Sequence, residues 1–454
     1  MPLTGANNPH AAKQVLFRDN VANDNPLNQT CLMRFLYSLA WWLSLPLLVA
    51  RLWLRGRKEP GYRLHMAERF GFYWVAPSSA PRIWVHAVSV GETRAAEPLI
   101  LALLKAYPQH DILLTHMTPT GRATGKALFC NQPRITQAYL PYDTTWMMGQ
   151  LTAHFKPLVC ILMETEVWPN LVARCQSENI PVVLANARLS RRSLEKGLRL
   201  SSLMSEAARG FSLVAAQTAT DAERLKQFGA RHVHVTGSVK FDAAPPDNAI
   251  ENGRTMRTRF GQRPVLVCAS TREGEEELIL GALGKLDPEV LVILIPRHPQ
   301  RFDEVAALIE KRGILMRRRS SLPDSNETLP SNTRILLGDS MGEMFTYYAA
   351  SDMAFIGGSL LPLGGQNLIE ACALGKPVLI GPHTFNFEAI TEDAVAMEAA
   401  RRITDVDDMI RQANILLRDS ALRTRLGERA LSFAHQQRGA TERTMELLRP
   451  LLSE

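Results

Sequence analysis

The sequence predicts an α/β protein, with two consecutive Rossmann-like domains facing a central cleft behind an apolar N-terminal helix. Three observations lead there. From Arg82 onward, short β-rich runs alternate with helical patterns, the signature of parallel α/β units. The alternation lapses once, around Pro245-Pro246, and then restarts, as a linker would make it do. An uncharged run, Phe35 to Ala50, precedes the first strand. At 454 residues the chain is long enough to build two cores.

Taken in order, residues 1–32 are polar and Asn-rich without a periodic apolar face, and are expected to be disordered. Met33 opens a different segment and is a candidate translation start. Residues 33–58 form the expected membrane anchor. Sixteen uncharged residues span about 24 Å as a helix, short of a roughly 30 Å hydrocarbon core. Extension to Leu54, with Arg34 and Arg51 snorkelling, closes that gap. A cleaved signal peptide is disfavoured, because arginines stand where small residues should mark the cut. Pro46 and Trp41-Trp42 keep an in-plane anchor open beside a spanning one. Residues 59–243 form the first Rossmann-like domain, with strands expected at 83–90, 112–116, 158–163, 182–185, 213–216 and 233–236. Residues 244–260 are the linker. Residues 261–454 form the second domain, with strands at 265–269, 291–295, 335–337, 353–356 and 378–380, followed by helices over 405–450. Two such domains with a linker fit the GT-B glycosyltransferase architecture, although fold alone does not establish chemistry.

Composition is ordinary for a globular protein, at 46% hydrophobic and 21% charged residues. The net charge of +7 admits a nucleic-acid surface, but no basic stripe with interleaved aromatics accompanies it. Arg51, Arg55, Arg57, Lys58, Arg63 and Arg69 instead crowd the end of the apolar run. That placement favours anionic lipid or a lipid-like substrate over nucleic acid, and sets the remainder of the chain on the cytoplasmic side. The six cysteines (31, 130, 160, 175, 268 and 372) are scattered without C-x-x-C spacing, so neither a disulfide framework nor a zinc site is expected.

The chemistry-bearing segments follow strands, where open α/β sheets bind ligands. Val88-Ser-Val-Gly91-Glu92 sets a carboxylate just past a strand and its turn, suited to a general base or simply to a helix N-terminus. Met163-Glu164-Thr-Glu166-Val-Trp168-Pro169 sets two acids after another strand; paired carboxylates also serve glycoside hydrolysis. Thr236-Gly-Ser-Val-Lys240 presents a lysine that can offset charge on a departing phosphate. In the second half, Pro296-Arg297-His298 ends a strand with a guanidinium, and Met341-Gly342-Glu343 follows another. Gly357-Gly-Ser-Leu-Leu-Pro-Leu-Gly364-Gly365-Gln-Asn367-Leu368-Ile369-Glu370 offers backbone N–H groups to a phosphate. Asn367 and Glu370, three apart, can share a helix face and read a ribose or base. The spacing matches neither a dinucleotide fingerprint nor a Walker loop.

Together these segments, with Met117-Thr-Pro-Thr-Gly121, Tyr139-Leu-Pro-Tyr-Asp143 and Ala185-Asn-Ala-Arg-Leu-Ser190, resemble the 3-deoxy-D-manno-octulosonate (Kdo) transferases from about Met33 to the C-terminal helices. The resemblance implies a CMP-Kdo donor, a tetraacylated lipid A precursor as acceptor, and the cytoplasmic face of the inner membrane. It implies Glu92 as general base, Glu164 and Lys240 as transition-state residues, and CMP contacts from Pro296-Arg297, Met341 to Glu343 and Asn367 to Glu370. It also implies inversion without a cofactor or metal, since a single phosphate leaves and no D-x-D segment stands nearby. Gln366-Asn367-Leu368 departs from the His-Asn-Pro common in that family, and Arg272 from its histidine. The alternatives are a GT-B transferase or epimerase acting on a UDP-sugar, and a membrane-anchored nucleotide-binding scaffold without turnover.

Overall fold

The computed structural model describes residues 26–57, 59–75, 78–199, 202–242, 248–322 and 327–452. Two seven-stranded sheets form, and every strand pair in both is parallel. The first contains β1 (Arg82–His86), β2 (Asp111–His116), β3 (Ile135–Tyr139), β4 (Pro157–Met163), β5 (Val182–Ala187), β6 (Leu213–Ala216) and β7 (Val233–Val235), ordered β3-β2-β1-β4-β5-β6-β7. The second contains β8 (Val265–Thr271), β9 (Leu291–Pro296), β10 (Met316–Arg318), β11 (Ile335–Leu337), β12 (Met353–Ile356), β13 (Val378–Ile380) and β14 (Ala400–Arg402), ordered β10-β11-β9-β8-β12-β13-β14. Helices cover both faces, so the central strands read as unbroken apolar runs.

Strand order creates the site. Succession runs outward in both directions from one central strand in each sheet, leaving a switch point between β1 and β4 in the first and between β8 and β12 in the second, where β10 and β11 also exchange places at the edge. Crevices open at such switch points, beyond the carboxyl ends of the strands. Glu92 follows β1 and Glu164 follows β4, while Glu275 follows β8 and the glycine-rich segment follows β12.

The sequence reading missed β3, β10 and β14. All three are edge strands, and they carry Gln137, Arg317-Arg318 and Arg401-Arg402. An edge strand is not buried on both faces and needs no continuous apolar run.

Two boundaries move. The expected linker contains a helix, Ala249–Thr258, whose Gly253 lies close against Ala349 of the second domain. The last helix, Ala440–Leu452, returns to the first domain, where Ala440, Leu448 and Leu452 enter the core beside Leu99, Ile100 and Leu103. Asp242 holds it there, accepting from Gly439 N (2.7 Å) and Thr441 N (2.5 Å).

The apolar N-terminal helix runs Pro26–Arg55, so residues 26–32 of the expected disordered extension are helical and residues 1–25 lie outside the described residues. Leu32–Arg55 is long and apolar enough to cross a membrane. Its domain-side contacts nevertheless recur along its length. Arg34 pairs with Glu206 (2.8 Å), Ser38 Oγ accepts from Asn170 Nδ2 (2.9 Å), Trp41 stacks on Tyr142, and Trp53 O accepts from Arg63. Leu43 and Leu47 are exposed on the opposite side.

Candidate active site

The first switch point is built from buried polar groups upward. Trp84 Nε1 donates to Thr115 Oγ1 (2.8 Å), and His86 Nδ1 lies at the same distance from that oxygen. Burial holds the His86 and His116 imidazoles neutral, at pKa values of about 3 and about 4. Above them Val88 O accepts from Met117 N and Thr118 N, both at 3.2 Å. Gly121 permits this approach, because a Cβ there would stand 3.1 Å from Val88 O and 3.3 Å from Ser89 C. The Met117–Gly121 segment thus buttresses the loop that carries Glu92.

β1 ends at His86, four residues earlier than the sequence suggested, and the next helix begins at Val90 with Ser89 as its N-cap. Glu92 therefore lies inside the helix's first turn, not in a turn ahead of it. Its carboxylate accepts from Val88 N (2.8 Å) and Ser89 Oγ (3.1 Å), as capping acids do. Burial, reinforced by the charges of Glu166 and Glu164, raises its pKa to about 7. One residue thus caps a helix and carries a carboxylate poised for proton transfer near neutral pH.

Glu164 terminates β4 in the left-handed region (φ 61°) and is only 7% exposed. Lys240 Nζ sits 2.7 Å from its Oε1 and Arg188 Nε 3.3 Å from its Oε2. Glu164 and Lys240, assigned separately from sequence, form one ion pair. Glu166 stands beside them, its pKa raised to about 6 by burial and by Glu164. The following helix, Pro169–Ser177, is capped by buried Asp143, which accepts from Leu171 N (2.9 Å) and Asn170 N (3.1 Å). That is the work of the Tyr139–Asp143 segment.

Across the cleft, Pro296 is buried at the end of β9, and the exposed Arg297 guanidinium donates from Nε to Gln366 Oε1 (3.2 Å). Asn367 Oδ1 accepts from Ile369 N (3.0 Å), and its Nδ2 donates to Glu370 Oε1 (3.3 Å). Burial raises the Glu370 pKa, against the opposing charges of Arg94, from the other domain, and Arg297. Leu368 and Ile369 are buried in the core, so only Asn367 and Glu370 of this quartet can offer side chains to a ligand. Met341 is exposed, Gly342 turns at φ 81°, and Glu343 is held by Ser340 and by Arg319 (2.8 Å).

The glycine-rich segment behaves differently from the expectation that its amides are open to phosphate. Fully buried Glu275 accepts from Gly358 N (2.6 Å), Ser359 N (2.9 Å), Leu360 N (2.9 Å) and Arg272 N (2.9 Å). An internal carboxylate fills that anion nest. The helix beyond it, Ile369–Ala373, has only five residues, so it adds little dipole. The turn itself needs glycine at Gly364 and Gly365 (φ 95° and 75°). Glu275 was not legible in the sequence because Glu275-Glu-Glu277 reads as the usual acidic start of a helix. Replacement Glu275→Gln, which turns an N–H donor toward donors, is expected to lower stability by roughly 1–3 kcal/mol, as thermal unfolding would measure.

Two parallel-sheet domains, with carboxylates past the strand ends of the first and a guanidinium and glycine-rich segment past those of the second, have the architecture of the GT-B fold. Residues 64–243 match the family model described as 3-deoxy-D-manno-octulosonic-acid transferase. The 3-deoxy-D-manno-octulosonic acid transferase of Bordetella pertussis is 44% identical over 429 residues, covering 91% of this chain and 98% of its own. That of Haemophilus influenzae is 38% identical, covering 92% and 99%. The UDP-GlcNAc 2-epimerase of Neisseria meningitidis superposes with a TM-score of 0.57 at 15% identity, over 81% of this chain and all of its own; this likeness shows the fold alone. The chain belongs to the 3-deoxy-D-manno-octulosonic acid transferase family and is a glycosyltransferase. The UDP-sugar alternative is set aside by that membership.

Proposed function

We propose that this enzyme moves Kdo from CMP-Kdo to a glucosamine hydroxyl of a tetraacylated lipid A precursor, at the cytoplasmic face of the inner membrane. The observation that carries the reading is Glu92, a half-buried carboxylate with a pKa of about 7 at the switch point of its sheet. Glu92 takes the hydroxyl proton as the oxygen attacks the anomeric carbon. The bond from that carbon to the phosphate oxygen breaks on the opposite face, so the centre inverts and CMP departs as a monoester. Arg297, Gln366, Asn367 and Glu370 hold the nucleotide, and Met341 to Glu343 border it. Lys240 turns toward the leaving phosphate, which frees the Glu164 carboxylate to face positive charge building on the sugar. The test is incubation with CMP-Kdo and the lipid A precursor, following CMP release and the lipid's mass. Active, folded protein that yields no Kdo-bearing lipid overturns the reading.

The N-terminal helix lies in the plane of the membrane. A spanning helix would carry Glu206, Asn170 and Asp143 into hydrocarbon, because these residues pack along it. Its outward leucines, together with exposed Trp42 against Trp146 and Trp146 against Phe72, instead form one apolar face of the interfacial kind. Tags ahead of residue 26 and after residue 452 are both expected to be digested from the cytoplasmic side of inverted vesicles. Protection of the N-terminal tag alone would establish a spanning helix.

A further inference from the structure

We infer that Arg188 recognises the carboxylate of the donor sugar, and so selects an acidic sugar over a neutral one. This rests on the proposed function and deepens it. The transferred group is an octulosonic acid whose carboxylate sits on the anomeric carbon, one bond from the centre under attack. A sugar held for attack from Glu92 therefore brings a fourth carboxylate toward Glu92, Glu164 and Glu166, and a cation must receive it.

Arg188 is placed to be that cation. It follows β5, beside the end of β4, and β5 loses its regular register against β6 between Leu184 and Ala187. Asn186, in that irregularity, adopts φ 53°. The loop is braced on several sides: Arg188 N donates to Glu164 O (3.3 Å), Leu189 N to Asp221 Oδ1 (2.9 Å), and Val239 N, next to Lys240, to Asn186 Oδ1 (3.2 Å). From this platform the guanidinium reaches both halves of the cleft. Nε approaches Glu164 Oε2 (3.3 Å), and the NH1 group donates to Asn386 O (3.3 Å). Asn386 is itself joined to the glycine-rich donor segment, through its N–H on Gly364 O (3.0 Å).

The two cations on Glu164 are not equivalent. Lys240 makes the short contact, at 2.7 Å against 3.3 Å, and Arg188 is 43% exposed against 24% for Lys240. Arg188 can leave Glu164 for an incoming carboxylate while the sugar is being bound, before Lys240 moves. A planar guanidinium takes a carboxylate through two parallel N–H···O bonds, a geometry that an ammonium cannot provide. Arg297, the guanidinium of the donor domain, is engaged with Gln366, on the nucleotide side.

The experiment uses the full-length enzyme in detergent, with Arg188→Gln and Arg188→Lys variants. KM for CMP-Kdo and inhibition by CMP are measured, together with turnover of a CMP-Kdo analogue whose carboxylate is an amide. Loss of a charge-assisted bond should raise KM for CMP-Kdo by roughly 10- to 100-fold in Arg188→Gln. CMP inhibition should remain within about twofold of wild type, which also reports an intact fold. Wild type should prefer CMP-Kdo to the amide, and Arg188→Gln should lose most of that preference. Arg188→Lys should keep the charge and recover only part of the affinity. An unchanged KM, CMP inhibition weakened in parallel with KM, or a preference that persists in Arg188→Gln would each overturn the assignment. A wild-type enzyme that transfers no Kdo would overturn the proposed function and this inference with it.

Discussion

Glu92→Gln is expected to lower kcat by roughly 10²- to 10⁴-fold, the range that general bases contribute, while the fold survives. The glutamine amide can still accept from Val88 N–H through its oxygen and meet Ser89 Oγ with its nitrogen, so the cap seen for the carboxylate is kept. In the unsubstituted enzyme kcat/KM should rise with pH through about 7 and then level, because only ionised Glu92 accepts a proton. Stability should run the other way. Burial raises the folded pKa above the unfolded value, so the folded state binds more protons between about 4.5 and about 7 and loses stability as pH rises through that window. At pH 8 the ionised carboxylate costs about 3 kcal/mol, an upper bound for the gain from Glu92→Gln; at pH 5 the gain should be small. Melting curves at the two pH values, paired with rate measurements, test both halves. A variant that keeps its rate removes Glu92 from the mechanism.

Lys240→Met should be the most disruptive single change on the Glu164 side. It strips the nearer cation from a carboxylate that is 7% exposed and seated at φ 61°. Breaking such a pair typically costs about 3–5 kcal/mol, and Arg188 remaining at 3.3 Å places the expectation at about 3. Replacing both partners is far cheaper than stranding one. The double variant Glu164→Gln/Lys240→Met should therefore recover most of the stability and none of the turnover. Denaturant unfolding and the CMP-release assay separate the two effects. A double variant that regains turnover would assign the pair a purely structural role.

Most of the fold was legible because buried parallel strands announce themselves. Val265–Ala269, Leu291–Ile295 and Met353–Ile356 are continuous apolar runs, since helices cover both faces of the sheets they enter. Edge strands such as Met316–Arg318 give no such signal. The position of Glu92 was legible as a place after a strand, but its surroundings were not. Spacing along the chain says nothing about Glu164 and Glu166, more than seventy residues away, whose charges help to raise its pKa. The same holds for Glu275. It lies 83 residues from Gly358, and only the pairing of β8 with β12 reveals that its carboxylate occupies the nest that the glycine pattern advertised for phosphate.

Apolar periodicity, strand-end carboxylates and the lysine before the linker are local properties, and the sequence by itself determined them: two parallel-sheet domains, an apolar N-terminal helix, and Glu92, Glu164, Lys240 and Arg297 each just past a strand. Which strands would be neighbours is a property of the whole sheet. Tertiary structure alone decided that Glu164 and Lys240 form one ion pair and that Arg188 spans the cleft. It also carried the last helix back to the first domain and laid the N-terminal helix along the protein surface. Each of these rests on groups distant in sequence, joined by hydrogen bonds, ion pairs or buried contacts that exist only once both sheets have closed.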